Sequence, residues 1–380
     1  MFFKKKNKTE NKSEKESESS KAPVNNDEVQ LPLHRDDVEF KTSTERNEFT
    51  QKIGDNFVSF RQLDLTDEEL KLLSVTDGEE MIRLEQWAMR NLFTTTPELE
   101  KKINERQDKI YKSIIEKLFK LDEIYVVYSK TTGCPYLFSG TYKSEENFIT
   151  VPPNIRIITK ANAKVTAETI EEGSDFELRM ISNGSDGNGI HNFLGECFYM
   201  NGACGIELGS FLCRIEKSLL VSPPDFSNVP EISRPVMNPD VMRWSLLLAQ
   251  LGRPENEEEE LNFKCFYNHL CQSLKTAKFL MPMKRGEGFP NPTDTSETIK
   301  LEKDASFGII TMPGKKDKQA VHLYTDWKRL YENLGEDEGW GGVIQSIESI
   351  ISVFDCAINP DKKYQRRGFY IDQEMFERIK

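Results

Sequence analysis

The strongest constraint on this chain is that it repeats itself. Residues 320–333 read AVHLYTDWKRLYEN, and residues 135–147 read PYLFSGTYKSEEN. Laid together without a gap, Leu137 falls on Leu323, Glu146 on Glu332 and Asn147 on Asn333. Phe138/Tyr324, Ser139/Thr325 and Lys143/Arg329 match in character. Upstream, with Leu118 on Leu274, Ile114 falls on Leu270, Leu121 on Ala277 and Ile124 on Leu280. Downstream, ACGIELG echoes DCAINPD, with Cys204 opposite Cys356 and Ile206 opposite Ile358. Each half reads as a helix, a short strand, a turn and a strand that ends in the shared phrase. Two copies of one α+β unit, a helix with a mixed or antiparallel sheet, are expected over 97–222 and 257–380.

Local signals divide the remainder. Residues 1–45 are mostly Lys, Glu, Ser and Asn, and the first 30 hold seven lysines and six acids. Such mixed charge stays solvated, so 1–45 is expected to be a disordered tail. Residues 46–96 read as a helical extension. Thr66–Glu69 and Thr76–Glu79 have capping-box spacing, the second opening a helix with Trp87, Met89, Leu92 and Phe93. Thr96 caps and Pro97 sits at N1 of a helix whose Ile103, Ile110, Ile114 and Leu118 recur on one face, ending near Lys120. EIYVVYS (123–129), PYLFSG (135–140) and NIRIITKANAKV (154–165) read as strands. FYMNGACGIELG (198–209) and FLCRIEKSLLV (211–221) read as strands about a tight turn. SNGSDGNG (182–189) is a loop and a poor phosphate cradle, because no Lys-Ser/Thr follows it. Residues 223–256 form a Pro-rich connection and a short helix capped at Asn238–Pro239 and stopped at Gly252. Glu255–Glu260 precede the next helix, where its dipole favours acids; Phe263, Phe266, Leu270 and Leu274 mark its apolar face.

Composition excludes several functions. A net charge of −12 argues against general nucleic-acid binding, which needs a basic surface. Seven cysteines form no C-x-x-C pair, and no two of the four histidines stand four apart. No metal or cofactor is expected, and the cysteines read as reduced residues of a cytoplasmic protein. MFFKKK lacks the apolar core and cleavage site of a signal peptide, and no apolar run is long enough to span a bilayer. No Gly-x-Ser-x-Gly elbow occurs. His191 with Cys204 is the one Cys/His pairing of note, and Cys204 reads as structural.

From Leu261 onward the residues are specific enough to compare with a family. LKTAKFLMPMKR leads to SFGIITMPGKKDKQAVHLYTDWKRL and then to DCAINPD before a terminal helix. This order resembles the N-terminal domain of SseB-like proteins over residues 261–380, with a degenerate copy at about 97–222. Gly140 and Thr141 stand where Asp326 and Trp327 do, and the first copy has no Asn-Pro. The resemblance implies an α+β fold and supplies no catalytic residues. Tyr324, Asp326, Trp327, Trp340 and Asn359 are the candidate binding residues, expected at one rim where exposed tryptophans would anchor a protein partner. The competing reading makes them packing and capping residues. The leading function is a non-catalytic intracellular partner-binding or regulatory module. The alternative is a small-molecule binder or enzyme using the cleft between the units.

Overall fold

Among the described residues, Leu31 and Phe40 are the first apolar side chains the fold buries. A computed structural model describes residues 30–58, 65–91, 96–230, 234–286, 306–336, 339–361 and 368–379. The expected tail splits accordingly. Residues 1–29, with the MFFKKK segment, lie outside the described residues, and 31–45 are built into the structure. Helix α1 (Ser43–Ile53) is capped by the Thr42 hydroxyl and runs into a π-helical turn, Gly54–Val58. Helices α2 (Asp67–Leu72), α3 (Val75–Asn91) and α4 (Pro97–Leu118) follow. The capping boxes differ from expectation at one place. Thr66 and Glu69 form theirs. At α3 the reciprocal pair is Ser74 and Asp77, at 2.9 and 3.3 Å. Thr76 instead gives its amide and hydroxyl to Asp36, at 2.9 and 2.7 Å. Asp36 lies forty residues upstream, beyond the reach of a local pattern. Asp77 in turn accepts from the amides of Leu33 and His34. These exchanged caps fasten residues 31–40 to α3. Trp87 is exposed, Met89 is half-buried, and Leu92 and Phe93 lie outside the described residues.

The first half continues with β1 (Glu123–Ser129), β2 (Leu137–Phe138), a hairpin of β3 (Thr141–Ser144) and β4 (Asn147–Thr150), and β5 (Asn154–Thr159). Then come α5 (Lys160–Ala167), β6 (Phe176–Ser182), α6 (Gly189–Tyr199), β7 (Gly205–Leu208), β8 (Arg214–Glu216) and α7 (Lys217–Leu220). Three expected strands are partly helix. The 154–165 strand stops at Thr159, where KANAK favours α5. Residues 198–199 close α6, and Lys217 opens α7.

Helix α8 (Pro239–Leu251) links the halves. The second half holds α9 (Glu257–Thr276), β9 (Phe279–Arg285), β10 (Phe307–Ile309), β11 (Thr311–Pro313), β12 (Gln319–Leu323) and α10 (Trp327–Leu334). It ends with β13 (Gly341–Gln345), α11 (Ile347–Ile350), β14 (Asp355–Ile358), β15 (Phe369–Ile371) and α12 (Gln373–Ile379). Asn256 caps α9, and Glu257–Glu260 fill its first turn. Residues 31–380 form one compact unit.

Strand order shows the same α+β topology twice. The first sheet runs β6-β1-β5-β7-β8, with β2 also against β5. In the second half β13-β9 joins β12-β14-β15 through the Leu280–Tyr324 bridge, with β11 against β12. β5 with β7, and β12 with β14, are the parallel pairs. This ladder corrects the sequence alignment. The counterpart of the 320–325 strand is 154–159, not 135–147. PYLFSG supplies β2, which matches β11, and the β3–β4 hairpin follows it. Ile157 pairs with Leu208 as Leu323 pairs with Ile358, so Leu208 rather than Ile206 matches Ile358. Tyr125 rather than Ile124 matches Leu280, since they face Ile158 and Tyr324.

Candidate functional site

The five residues chosen from sequence do not form one exposed rim. Tyr324 is 0% exposed and Asp326 is 2% exposed. Tyr324 belongs to a core cluster with Val236, Leu280, Leu330 and Leu334, against which Trp327 and Trp340 lie half-buried. The Trp327 ring stacks on Tyr331 at 5.4 Å and leaves no room for a side chain at Gly342. Asp326 caps α10, accepting the Arg329 amide at 2.9 Å, and its carboxylate pairs with the Arg329 guanidinium. Asn359 accepts the Thr325 amide at 3.0 Å. Thr325 donates its hydroxyl to Asp326 at 2.8 Å. The structure thus brings Asp326 and Asn359 together through Thr325, and the three aromatics together in a core. It also ties this region to the first half, where Arg329 donates to Asn201 at 2.5 Å, and to the connection, where Asn238 donates to the Thr325 carbonyl at 2.9 Å.

A concave site lies elsewhere, within the first half. Alternation along the sheet puts Phe138, Arg156 and Ile158 on one face, with Val127 opposite Arg156. The other face holds Ile155, Ile157, Ile206 and Leu208, all fully buried. The first face borders a cavity of about 640 Å³, whose remaining walls come from α1, α3, α5, the start of β6 and the turn after β7. Its apolar lining includes Val127, Phe138, Ile158, Val165, Ile170 and Phe176. Phe138 and Phe176 stack at 6.3 Å, and the Arg156 guanidinium sits 4.0 Å from the Phe138 ring centre.

The polar lining has a definite order. Arg46 of α1 and Arg83 of α3 share Glu80 as counter-ion. Arg46 also donates to Asn162 of α5 at 2.7 Å, which holds the wall of α1 against the sheet. Arg156 pairs with Glu207 at 2.8 Å, and Arg214 approaches the same carboxylate at 3.3 Å. Burial works to raise the Glu80 pKa, yet hydrogen bonds from Arg83 and Arg46 prevail and hold it down to about 2. Glu79 is opposite in character. Burial pushes its carboxyl up to about 8, and neither arginine gives it a hydrogen bond. Its side chain lies where any substituent on Gly209 would go, 1.5 Å from an ideal Cβ.

Three buried side-chain atoms of the cavity lining lack a hydrogen-bond partner: Glu79 Oε2, Arg156 Nε and Ser174 Oγ. A buried polar group is nearly always satisfied, and these three atoms are closed off from the open space of the cavity as well as from solvent. Sequence reading passed over all three. Glu79 was read as a capping carboxylate, and Arg156 as a strand residue. The signal that could have found them is adjacent acids, Glu79–Glu80, on a helix face otherwise fit for burial. Cys204 is half-buried and without a disulfide, like the other cysteines, which are all free. Among the described residues no helix is long and apolar enough to cross a membrane.

Comparison of the chain with models of protein families, with curated proteins and with solved structures finds no match.

Proposed function

We propose that this protein is a binding protein that holds a small organic molecule in the first-half cavity. The observation that carries the reading is a concave space in which two aromatic walls, Phe138 and Phe176, stand beside Arg46, Arg83 and Arg156. The volume, about 640 Å³, suits a small ligand rather than a peptide. The cleft-binding expectation is thereby moved from between the units into one of them. Native mass spectrometry of protein purified without chromatography in organic solvent tests this. A stoichiometric added mass is expected, and Thr169→Trp, which fills the cavity from its exposed edge, should remove it. The same mass on both forms would place the ligand elsewhere, and no added mass with no hit in a thermal-shift metabolite screen would remove the reading.

A second reading keeps the partner-binding module, now on another surface. Tyr142, Phe148 and Ile149 on the β3–β4 hairpin are 53%, 56% and 41% exposed. The hairpin is tied to α9 by the Thr141 amide, which donates to Asn262 at 2.6 Å, and Phe263 on that helix is also exposed. Tyr142 and Ile149 pair across the hairpin on one face, with Phe148 on the other, and an exposed apolar pair of this kind favours a protein contact. An SseB-like relationship and a cytoplasmic location remain part of this proposal. They rest on the quoted phrases of 261–380 and on seven free cysteines. Ile149→Asp should abolish any specific partner recovered by pull-down while leaving the melting curve unchanged. Retention of every partner by that variant would remove this reading.

A further inference from the structure

We infer that the β3–β4 hairpin is a two-fold contact between two copies of this chain, made by β4 pairing antiparallel with its own copy about Ile149. This rests on the reading of the hairpin as a protein contact and names the partner. The first argument is the backbone. β3 and β4 form a two-stranded ribbon apart from the larger sheets, and among the described residues no strand lies against the outer edge of β4. The Val151 amide donates to the Gly140 carbonyl at 2.8 Å. Bonded and unbonded pairs alternate along an antiparallel ladder, so Ile149 and Asn147 also turn their backbone groups towards β3. The amides and carbonyls of Phe148 and Thr150 therefore point outward. On β3 the outward amide is that of Thr141, which reaches Asn262 of α9 at 2.6 Å. Helix α9 thus takes the β3 side, while Asn147, Phe148 and Ile149 of β4 are exposed.

The second argument is the match of this edge to itself. Pro152 and Pro153 lack amides and close one end, and the turn at Glu145 and Glu146 closes the other. The usable edge is 147–151, and Ile149 is its centre. Two copies related by a two-fold axis at Ile149 set Phe148 of each opposite Thr150 of the other, and the outward groups of both then bond across the axis. Ile149 meets Ile149 of the other copy at an unbonded pair, where side chains approach most closely. Tyr142 already faces Ile149 across the hairpin, so a continuous row of Tyr142, Ile149, Ile149 and Tyr142 forms on one face. Charge permits this pairing. Residues 147–151 carry none, whereas the free edges of β6 and β8 carry Glu177, Arg179, Arg214 and Glu216, and β11 carries Pro313. Charge and proline are the usual devices that keep an edge from pairing, and β4 has neither. So short an edge buries less than the ~1,600 Å² of a standard interface, and the association is expected to be micromolar.

Analytical ultracentrifugation of the full-length protein from about 1 to 200 μM tests this. The wild-type chain is expected to pass reversibly from monomer to dimer over that range. Ile149→Asp and Ile149→Lys each set like charges against one another at the axis, and each should weaken the dimer about tenfold or more. Mixed in equal amounts, the two variants should recover the lost affinity by pairing Asp with Lys, a response that a contact away from the axis does not give. If either variant lowers the melting temperature, Ile149→Cys serves instead, and mild oxidation should join two chains in a cross-link that the wild type lacks. A wild-type chain that stays monomeric throughout, a dimer that both charged variants leave unchanged, a mixture no tighter than its separate components, or an Ile149→Cys chain that does not cross-link overturns the inference. If the wild type is monomeric and Ile149→Asp still loses a foreign protein in the pull-down, the hairpin stands as a protein contact and only the second copy falls. If the wild type is monomeric and the pull-down keeps every partner, both fall.

Discussion

Gly209 and Asn359 occupy the same turn in the two halves. Each follows the last residue of a parallel strand, and each donates its amide to the end of the neighbouring strand. Gly209 bonds the Ile157 carbonyl at 2.8 Å, and Asn359 bonds the Leu323 carbonyl at 2.7 Å. Both backbones are left-handed, with φ of 65° and 49°. One half therefore opens a space that Glu79 enters, and the other fills it with a side chain that satisfies Thr325.

These two positions should respond differently to mutation. Gly209→Ala sets a Cβ into the Glu79 carboxyl and strains a left-handed turn, so a loss above ~3 kcal/mol is expected. Asn359→Gly keeps the turn and loses the bonds to Thr325, for about 1–2 kcal/mol. Urea denaturation of both variants measures this. Equal losses would mean that Glu79 does not fill the space beside Gly209.

Glu79 predicts a pH dependence of stability. Its neighbours are Arg46 from α1, Glu80 and Arg83 from α3, Asp36 from the entering segment, and Cys213 from the turn before β8. Its folded pKa, about 8, lies above the ordinary 4.5, so the folded state holds a proton that the unfolded state releases. Stability is then full below the unfolded value and falls as pH rises from 4.5 through 8, by at most roughly 5 kcal/mol. Asp77, raised to about 6 by burial, adds to the lower part of that fall. Glu79→Gln should flatten the curve between pH 6 and 8 and raise stability at pH 8. A wild-type curve that rises across this range would contradict the assignment.

Trp327→Ala and Trp340→Ala should each destabilise the second half by about 2–3 kcal/mol, because both rings pack on the cluster around Tyr324. Thermal unfolding monitored by circular dichroism reads this. An unchanged melting curve together with loss of a bound partner would instead return these residues to the role of an exposed anchor.

Removal of residues 1–45 should lower the melting temperature by several degrees, since it deletes Phe40, fully buried, and Asp36, which accepts three bonds at the start of α3. Phe40→Ala alone should cost about 3–5 kcal/mol. A truncated chain as stable as the full one would show that the segment only decorates the fold.

Helix caps and periodic faces were legible in the sequence wherever their partners are local. Thr66 and Thr96 cap as expected, while Asn238, expected to cap α8, gives its side chain to the Lys278 and Thr325 carbonyls instead; Ile103, Ile110, Ile114 and Leu118 are buried together. The repeat was legible as a topology but not in register. Shared Leu, Glu and Asn letters at 135–147 came from strand grammar that recurs anywhere, while the true counterpart, NIRIITK, shares almost none of them. An intervening β3–β4 hairpin displaced the alignment. The cavity was not legible at all. Thr76–Glu79 has the spacing of a cap, and nothing local shows that Asp36 takes Thr76 while Glu79 turns inward. Arg156 gains its meaning only from Glu207, fifty-one residues later.

The cavity's walls are separated widely along the chain, and this fixes an order of events during synthesis. The ribosome releases α1 and α3 first, while Phe138, Arg156 and Gly209 are still unmade. Until residue 209 emerges, Glu79 has no turn to lie against and remains a solvated acid. The roof of the chamber therefore waits through more than a hundred residues of translation for its floor. A nascent chain halted before that point carries the helices but offers a ligand nothing to enter.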